Sequence, residues 1–349
     1  MERRIKLTED YSISKIINGG WQLAKGHALI QEVDYEDAMK GLFALAEAGF
    51  TTFDCADIYT GVEEFLGTFL KRYAGSSPSK KRGIQIHTKF VPDMADLGRV
   101  DRKYVETIID RSLKRLGVER LDLVQFHWWD YEVPGYVETA LILKDLQAAG
   151  KIRLIGTTNF DVPHLKTLTE AGVPVVTNQI QYSLFDRRPE HGLIDFCAET
   201  GTKLLCYGSI AGGFISERWI GKERPSEYEN RSLVKYALII DEFGGWDAFQ
   251  ELLSLLGSIA AKHQVKIPNI AQAWVLSRPE VAAVIVGVRS ARHVTDAGKT
   301  FTVVLDNDDY SRIDAFLAAH PGAEGDTYGL ERIKGGKHAS ILKTNLSNA

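Results

Sequence analysis

A unit of helical pattern, glycine and short apolar strand recurs along this chain of 349 residues. In five of these units the glycine lies between helix and strand, at Gly49, Gly117, Gly150, Gly172 and Gly201. Glycine just past a helix supplies the left-handed residue that ends it, and a short connection leads to the next strand. The strands contain few polar residues, as strands covered on both faces do. The repeat therefore predicts parallel strands that alternate with helices.

The helical segments have recognisable starts. Residues 101–116 show the clearest pattern, because their apolar residues are spaced three and four apart and fall on one helical face. Asp101 precedes this helix and is predicted to cap its amino terminus. Asp34 and Asp161 are predicted to do the same for their helices.

Eight segments have the length and composition of strands. They are residues 14–18, 51–54, 85–89, 121–127, 152–157, 175–180, 203–207 and 281–286. Eight strands that alternate with helices predict an α/β protein with a closed (β/α)8 TIM barrel. A doubly wound open sheet is the alternative that the same pattern allows.

The chain is predicted to form one domain over residues 1–349, because no segment resembles a linker. We place the barrel core at about residues 14–318 and a tail at 319–349. The length exceeds that of a minimal barrel, roughly 250 residues, by about a hundred. The surplus is assigned to the loop 208–231, the helical stretch 243–279 and the tail. The tail is rich in Gly, Lys, Ser and Asn, and is either mobile or folded over the barrel mouth.

Composition limits the classes of partner. A net charge of −4 and a pI near 6.2 argue against nucleic-acid binding. No window is long and apolar enough for a membrane span. The three cysteines form no disulfide framework and suit a reducing compartment, so we expect a cytoplasmic protein. No cluster of residues with metal-ligand spacing is found, and a small-molecule substrate is the predicted partner. The oligomeric state is left open.

Polar residues suited to acid–base chemistry end successive predicted strands. Asp54 ends the second strand, and Tyr59 follows it. Lys89 ends the third strand and His127 the fourth. The carboxyl ends of strands in a closed parallel barrel converge on the face where such enzymes have their active sites. We therefore predict an active site that contains these four side chains.

These residues lie in motifs that resemble those of the aldo-keto reductase family. The motifs are Phe53-Asp54-x-Ala56-x-x-Tyr59, Thr88-Lys89 and the segments 121–127, 155–160 and 178–182. The resemblance extends from about residue 17 to 297. It implies that Tyr59 is the general acid of a catalytic tetrad with Asp54, Lys89 and His127.

The chemistry of carbonyl reduction explains why such residues are needed. Hydride must reach the carbon and a proton must reach the oxygen. A phenol with its reference pKa of about 10 is too weak an acid, and a nearby ammonium lowers that pKa. Lys89 is expected to lower the pKa of Tyr59, while Asp54 orients Lys89. His127 is expected to hydrogen-bond the substrate oxygen.

The expected cofactor site differs from a Rossmann site, because no G-x-G-x-x-G follows a strand. A barrel instead binds phosphate after its seventh and eighth strands. Here those loops are residues 208–213 and 287–290. Within them the predicted cofactor-binding residues are Gly208, Ser209, Ile210, Gly212, Gly287 and Arg289. The resemblance implies NADPH or NADH, with Thr158, Asn159 and Gln179 on the nicotinamide carboxamide and Tyr207 stacked on its ring.

The adenine end of the cofactor departs from the family pattern. His293, Asp296 and Ala297 stand where the family usually has Arg or Gln, Glu, and Asn. His293 and Asp296 remain candidate cofactor ligands. Arg289 and Arg292 are candidates for the additional phosphate of NADP, because a guanidinium matches phosphate geometry. We therefore favour NADPH, with NADH as the alternative.

Three tryptophans are candidates for the substrate pocket. Trp21 follows the first strand, and Trp128 and Trp129 follow His127 directly. Aromatic walls suit sugars and flat aldehydes, whereas plain core packing is the other interpretation.

The sequence thus predicts an NADPH-dependent enzyme that reduces an aldehyde or ketone to an alcohol. A sugar or polyol dehydrogenase that works mainly by oxidation is an alternative, because the same four residues serve both directions. A regulatory subunit that binds the cofactor is a second alternative. A glycosidase with two carboxylates, for which Asp54 and Asp57 are available, is a third.

Overall fold

Eight parallel strands close into a barrel in the computed structural model, which describes residues 1–29, 33–76, 83–287 and 294–346. A hairpin of β1 (Arg4–Thr8) and β2 (Tyr11–Ser14) precedes them. The barrel strands are β3 (Ile16–Gly19), β4 (Thr52–Asp54), β5 (Gln85–Phe90), β6 (Leu121–Phe126), β7 (Ile152–Thr158), β8 (Val175–Gln181), β9 (Lys203–Tyr207) and β10 (Val281–Val286). The last barrel strand, β10, pairs in parallel with the first barrel strand, β3, with Val284 opposite Ile16, so the sheet has no open edge. The predicted TIM barrel is confirmed, and the open-sheet alternative is wrong.

Helices cover the outside of the barrel and extend beyond it. Those that follow the strands up to β9 are α1 (Tyr35–Glu47), α2 (Val62–Ser76), α3 (Arg102–Leu116), α4 (Tyr136–Ala148), α5 (Val162–Glu170) and α6 (Leu193–Thr200). The later helices are α7 (Arg231–Phe243), α8 (Gly245–His263), α9 (Ile267–Leu276), α10 (Val294–Lys299), α11 (Asn307–Ala319), α12 (Gly329–Arg332) and α13 (Lys337–Ser340). Among the described residues, none of these helices has the length and apolarity needed to cross a bilayer.

The predicted helix boundaries are confirmed. The side chain of Asp101 accepts a hydrogen bond from the backbone N–H of Tyr104, and Asp34 and Asp161 cap α1 and α5 in the same way. Gly117 ends α3 with φ +66°, a conformation that costs glycine little. The other four predicted glycines also have positive φ. Local sequence signals therefore set the length of each helix–strand unit.

The amino-terminal hairpin closes the base of the barrel. Tyr11 and Ile13 are buried in one cluster with Leu123 and Leu205, which point into the barrel from β6 and β9. The predicted first strand began at Ser14, but Ser14 pairs with Arg4 in the hairpin, and the barrel strand starts two residues later. The hairpin was not predicted, because charged residues interrupt the apolar pattern of β1.

The carboxy-terminal tail crosses the barrel mouth. The backbone N–H of Met94 donates to the carbonyl of Thr344, and the N–H of Leu346 donates to Asp93. Further back, Tyr328 is buried and lines the central cavity. The sequence allowed a tail that is mobile or one that folds over the barrel mouth. Over the described residues up to 346, the tail folds over the mouth.

Candidate active site

A cavity of about 640 Å³ opens at the carboxyl ends of the barrel strands. Asp54, Tyr59, Lys89 and His127 all line it, so the structure brings the four predicted side chains together. The cavity extends from the barrel axis to the first turns of α7 and α9. The same cavity therefore connects the predicted reaction centre with the amino termini of two helices.

Lys89 and Asp54 form a buried ion pair at the floor of this cavity. The Nζ of Lys89 lies 2.5 Å from Oδ1 of Asp54 and 2.8 Å from the carbonyl oxygen of Cys55. Burial alone would lower the pKa of Lys89, but the charge of the Asp54 carboxylate and its hydrogen bond to the ammonium outweigh burial and raise the pKa. The ammonium therefore stays charged throughout the physiological range.

Two glutamine side chains fix the second oxygen of Asp54. The Nε2 atoms of Gln125 and Gln179 lie 2.8 and 2.7 Å from Oδ2. Gln179 also donates to Oε1 of Gln125 at 2.7 Å. Gln125 was not predicted as a site residue. Its signal was an uncharged polar residue near the end of a strand in which Asp122 is the other polar residue.

Tyr59 lies beside the ammonium in the loop after β4. The Nζ of Lys89 is 5.0 Å from the centroid of the Tyr59 ring. The centroids of the Trp21 and Tyr59 rings are 4.8 Å apart. Burial raises the pKa of Tyr59, and the opposing effect of Lys89 is smaller. The expected net lowering of this pKa is therefore not found in the protein alone. Burial outweighs the effect of Lys89, and the phenol is protonated at neutral pH.

His127 lines the cavity between two aromatic rings. Its Nδ1 is 2.9 Å from the carbonyl oxygen of Thr158. The rings of Trp129 and Tyr328 meet it edge-on, with centroids at 4.4 and 5.6 Å. Burial, and next the charge of Arg332, lower the pKa of His127 to about 3. The imidazole is neutral at physiological pH.

The residues predicted to hold a nicotinamide lie together along one wall. Thr158, Asn159, Gln179 and Tyr207 all line the cavity. The Tyr207 hydroxyl donates to Oδ1 of Asn159 at 2.8 Å. Asn159 has φ +61°, a strained conformation for a residue with a side chain, and such strain concentrates at functional sites. The wall therefore presents amide groups next to an aromatic face.

The loop after β9 has a backbone suited to anions. Gly208, Ala211, Gly212 and Gly213 have φ between +46° and +106° within six residues. Successive backbone N–H groups in turns form concave nests that bind phosphate, and in this loop the N–H groups of Ala211 and Gly213 already donate to the carbonyls of Gly208 and Ile210. Gly208, Ile210 and Gly212 line the cavity, as does Gly287 of the next loop. Ser209 is fully buried and is not among the lining residues, so its role in cofactor binding stays a prediction.

The far end of the cavity combines helix termini with charged side chains. Arg231 and Ser232 line it from the first turn of α7, and Pro268 and Asn269 do so from α9. Helix amino termini favour anions. Arg231 and Ser232 were not predicted, because the sequence assigns the chain up to about residue 231 to a loop.

The adenine-end predictions are only partly described. Arg289, Arg292 and His293 lie outside the described residues. Asp296 lines the cavity, and its Oδ2 is 2.5 Å from the Nζ of Lys266. The Lys266 ammonium lowers the pKa of Asp296, so this carboxylate stays ionised.

The three candidate tryptophans occupy different environments. Trp21 and Trp129 line the cavity. Trp128 does not, which corrects its assignment to the substrate pocket. Its ring is fully buried beneath the mouth, where it packs against Phe126 and donates to the carbonyl of Val133. Neighbouring residues point in opposite directions here, so only one of the pair reaches the cavity.

The tail adds a wall to the cavity, and none of the tail residues in it was predicted. Tyr328 lines the cavity, and Glu331 anchors the segment through buried ion pairs with Arg188 at 3.1 Å and Lys235 at 3.4 Å. Arg332 donates to the backbone carbonyl of Asn159 at 2.9 Å. The tail is therefore attached directly to the chain segments that form the site.

Comparison with known proteins agrees with this geometry. The model of the Aldo/keto reductase family matches residues 15–318. A probable aldo-keto reductase 1 of Glycine max is 30% identical over 315 residues, 88% of this chain and 86% of that protein. An NADH-specific methylglyoxal reductase of Escherichia coli is 24% identical over 86% of this chain and 94% of its own length.

A solved structure shows the same fold. The glycerol dehydrogenase of Gluconobacter oxydans superposes with a TM-score of 0.75 over 93% of this chain and 98% of its own, at 23% identity. The family match covers most of the chain, including all four residues at the cavity floor. The protein therefore belongs to the aldo-keto reductase family of oxidoreductases.

Proposed function

We propose that this protein reduces an aldehyde or ketone to an alcohol, with NADPH as the preferred reductant and Tyr59 as the proton donor. One observation supports this most directly. A charged ammonium, fixed by Asp54, lies beside a protonated phenol on the floor of a cavity.

The proton transfer follows from the charges around Tyr59. The phenol is neutral at physiological pH and donates a hydrogen bond to a carbonyl oxygen. As negative charge develops on that oxygen, the proton moves to it from Tyr59. The Lys89 ammonium stabilises the phenolate that remains, and Asp54 keeps the ammonium in place. His127 lines the same cavity and positions the substrate.

The polar walls fit a nicotinamide dinucleotide. Asn159 and Gln179 offer amide groups for a carboxamide, and Tyr207 offers a ring face. The nest of left-handed residues after β9 and the first turn of α7 fit a pyrophosphate. A reduced nicotinamide bound there supplies hydride to the carbonyl carbon.

The preference for NADPH rests on the cationic side chains at the far end of the cavity. Arg218, Arg231 and Lys266 line it, and guanidinium and ammonium groups suit an additional phosphate. The Escherichia coli relative is named as NADH-specific, so membership of the family does not decide the preference. Fluorescence titrations with NADPH and NADH test the preference. Tighter binding of NADH would overturn it.

Two alternatives use the same site. Net oxidation of a sugar or polyol requires the same phenol and ammonium, and the direction of turnover distinguishes it from reduction. A regulatory cofactor-binding role predicts tight binding of NADPH without turnover. A glycosidase is not supported, because Asp57 is buried away from the cavity, where its Oδ2 accepts from the backbone of Val91.

Purified protein tests the proposal directly. It should consume NADPH in the presence of a panel of aldehydes, ketones and open-chain sugars, followed by absorbance. The reverse assay with NADP and alcohols gives the preferred direction. Absence of turnover in both directions, despite cofactor binding, would contradict the catalytic proposal and favour a regulatory role.

A further inference from the structure

We propose that Glu63, a buried residue that does not line the cavity, holds Tyr59 and Lys89 at the distance that proton transfer needs. The inference rests on the proposed carbonyl reduction, in which Tyr59 and Lys89 act together. Glu63 acts through the chain segments that carry these two side chains, so it is a positioning residue.

Tyr59 and Lys89 belong to separate segments of the chain. Tyr59 lies in the loop 55–61 between β4 and α2, whereas Lys89 lies on β5. The Nζ of Lys89 is 5.0 Å from the centroid of the phenol ring. Loops are more mobile than the strands they connect, and the effect of an ammonium on a phenol falls with distance. The spacing of the pair therefore depends on contacts that hold the loop against β5.

The first turn of α2 is attached to Tyr59 through the backbone. The N–H of Val62, the first residue of α2, donates to the carbonyl oxygen of Tyr59 at 2.9 Å. Glu63 is the next residue of the same turn, and only 1% of its side chain is exposed. A displacement of this turn therefore displaces Tyr59 with it.

The side chain of Glu63 fastens this turn to β5. Its Oε1 accepts a hydrogen bond from the Thr88 hydroxyl at 2.7 Å, and both residues are buried. Thr88 directly precedes Lys89 on the strand. Successive residues of a strand point to opposite faces, so Thr88 points to the helix layer while Lys89 points into the barrel. One hydrogen bond thus connects the segment of Tyr59 to the strand of Lys89.

Arg115 of α3 connects the same carboxylate to the start of the loop. Its Nη1 lies 3.3 Å from Oε2 of Glu63 and donates at 3.0 Å to the backbone carbonyl of Asp57, two residues before Tyr59. The two oxygens of Glu63 therefore bind groups attached to both sides of the catalytic pair. The guanidinium also compensates the buried negative charge.

The next residue of α2 offers a matched control. Glu64 also pairs with Arg115, and its Oε1 lies 2.8 Å from Nε, but 51% of its side chain is exposed. Glu63→Met and Glu64→Met each remove one carboxylate from the same guanidinium and keep a side chain of similar length. Of these two carboxylates, the bond to Thr88 belongs to Glu63.

Steady-state kinetics of the full-length protein, with NADPH and methylglyoxal as an activated aldehyde, test the connection. In Glu63→Met and in Thr88→Val we expect kcat to fall about 10- to 100-fold, because a misplacement of about 1 Å costs about 10²-fold. KM should change little, since the loss concerns the transition state. Thr88→Ser keeps the hydroxyl and should restore kcat, and Glu64→Met should match the wild type. The double variant of Glu63→Met and Thr88→Val should lose no more than either single one.

An NMR signal of Tyr59 distinguishes positioning from a loss of stability. Protein labelled with ¹³C at the phenol carbon of tyrosine is compared with Tyr59→Phe to assign the signal. Lys89→Met then defines the shift that follows removal of the ammonium. We expect Glu63→Met and Thr88→Val to move the signal in that direction, and Glu64→Met to leave it in place. Thr88→Val replaces only a hydroxyl by a methyl group, so it tests the bond even where Glu63→Met does not fold.

The outcomes separate this inference from the proposed function. Variants that unfold more easily but retain the wild-type kcat and Tyr59 signal would show that Glu63 is merely structural, and would overturn the inference. Equal losses in Glu64→Met would also overturn it, because the ion pair with Arg115 would then account for the effect. Absence of turnover by the wild type in either direction contradicts the proposed function, and the Tyr59 signal still reports whether Glu63 holds the two side chains together.

Discussion

The two ends of the barrel contain the same kinds of side chain in different surroundings. At the base, the Tyr11 hydroxyl lies 3.2 Å from Nε2 of His87, and both residues are buried. At the mouth, Tyr59 and His127 line the cavity. Burial raises the pKa of both tyrosines and lowers those of the histidines, to about 4 for His87 and about 3 for His127.

The mouth differs from the base in two ways: it contains the ammonium group of Lys89, and it opens into a cavity. Lys89 lies next to Tyr59, and its carboxylate partner is held by two glutamines. The base is sealed by the β1–β2 hairpin, and neither Tyr11 nor His87 lines the cavity. A tyrosine next to a histidine is therefore insufficient for catalysis. The site needs an ammonium that stabilises phenolate and a space in which a carbonyl can reach it.

Matched removal of the two phenol hydroxyls gives the largest expected contrast. Tyr59→Phe should lower kcat by about 10³- to 10⁴-fold, the upper part of the range for general acid catalysis. Tyr11→Phe should leave kcat near that of the wild type and lower the free energy of unfolding by about 1 kcal/mol, through the lost hydrogen bond to His87.

NADPH consumption and denaturant unfolding measure the two effects. Cofactor titration provides the control, because Tyr59→Phe should bind NADPH nearly as well as the wild type does. A Tyr59→Phe enzyme with normal kcat would remove Tyr59 as the acid. A similar loss of kcat in Tyr11→Phe would show that the two ends of the barrel are coupled.

Lys89→Met tests whether charge distinguishes the two ends. Without the ammonium, burial and the Asp54 carboxylate both raise the pKa of Tyr59, so the phenolate becomes harder to form. We expect kcat to fall by about 10³-fold. The pH–rate profile of the residual activity should move to higher pH. A profile identical to that of the wild type would show that Lys89 does not act through Tyr59.

The sequence predicts the barrel and the cavity floor because both depend on local patterns. Polar residues at strand ends place Asp54, Lys89 and His127 on one face once the strands are parallel. Caps such as Asp101 and turns such as Gly117 determine where each unit ends. These signals lie within a few residues of the feature that they specify.

The parts that could not be predicted depend on distant contacts. Glu331 finds Arg188 and Lys235 only when the tail returns to the mouth. The net pKa of Tyr59 is determined by how deeply other elements bury it, and the sequence shows only that Lys89 is near. The proton position on His127 depends on the carbonyl of Thr158, a backbone atom on another strand.

Removing the tail anchor tests how firmly the mouth is held. Glu331→Ala leaves Lys235 and part of Arg188 without a buried counter-charge. Breaking a buried ion pair by removing one partner costs about 3–5 kcal/mol. We expect a loss of that size in the free energy of unfolding, and a raised KM because Tyr328 is displaced. Unfolding curves and steady-state kinetics measure these two effects.

An exposed ion pair of the tail provides the control. Glu132 pairs with Lys334 at the surface, and exposed pairs contribute little. Glu132→Ala should change the free energy of unfolding by less than about 1 kcal/mol. Equal effects of the two substitutions would mean that the buried pair does not hold the tail.

A last contrast concerns the pH dependence of stability at the base. The pKa of His87 is about 4 in the folded protein because of burial, and about 6.5 in an unfolded chain. Between these values the unfolded state binds the proton and the folded state does not, so stability falls as the pH falls from 6.5 to 4. At pH 5 the loss due to His87 is about 2 kcal/mol relative to pH 7.

His87→Gln should remove that part of the pH dependence, measured by urea unfolding at both pH values. His191→Gln, at the exposed surface, should retain it. Because His127 is neutral for the same reason, some acid sensitivity should remain in His87→Gln. Its complete disappearance would mean that only the base, and not the mouth, excludes the protonated ring.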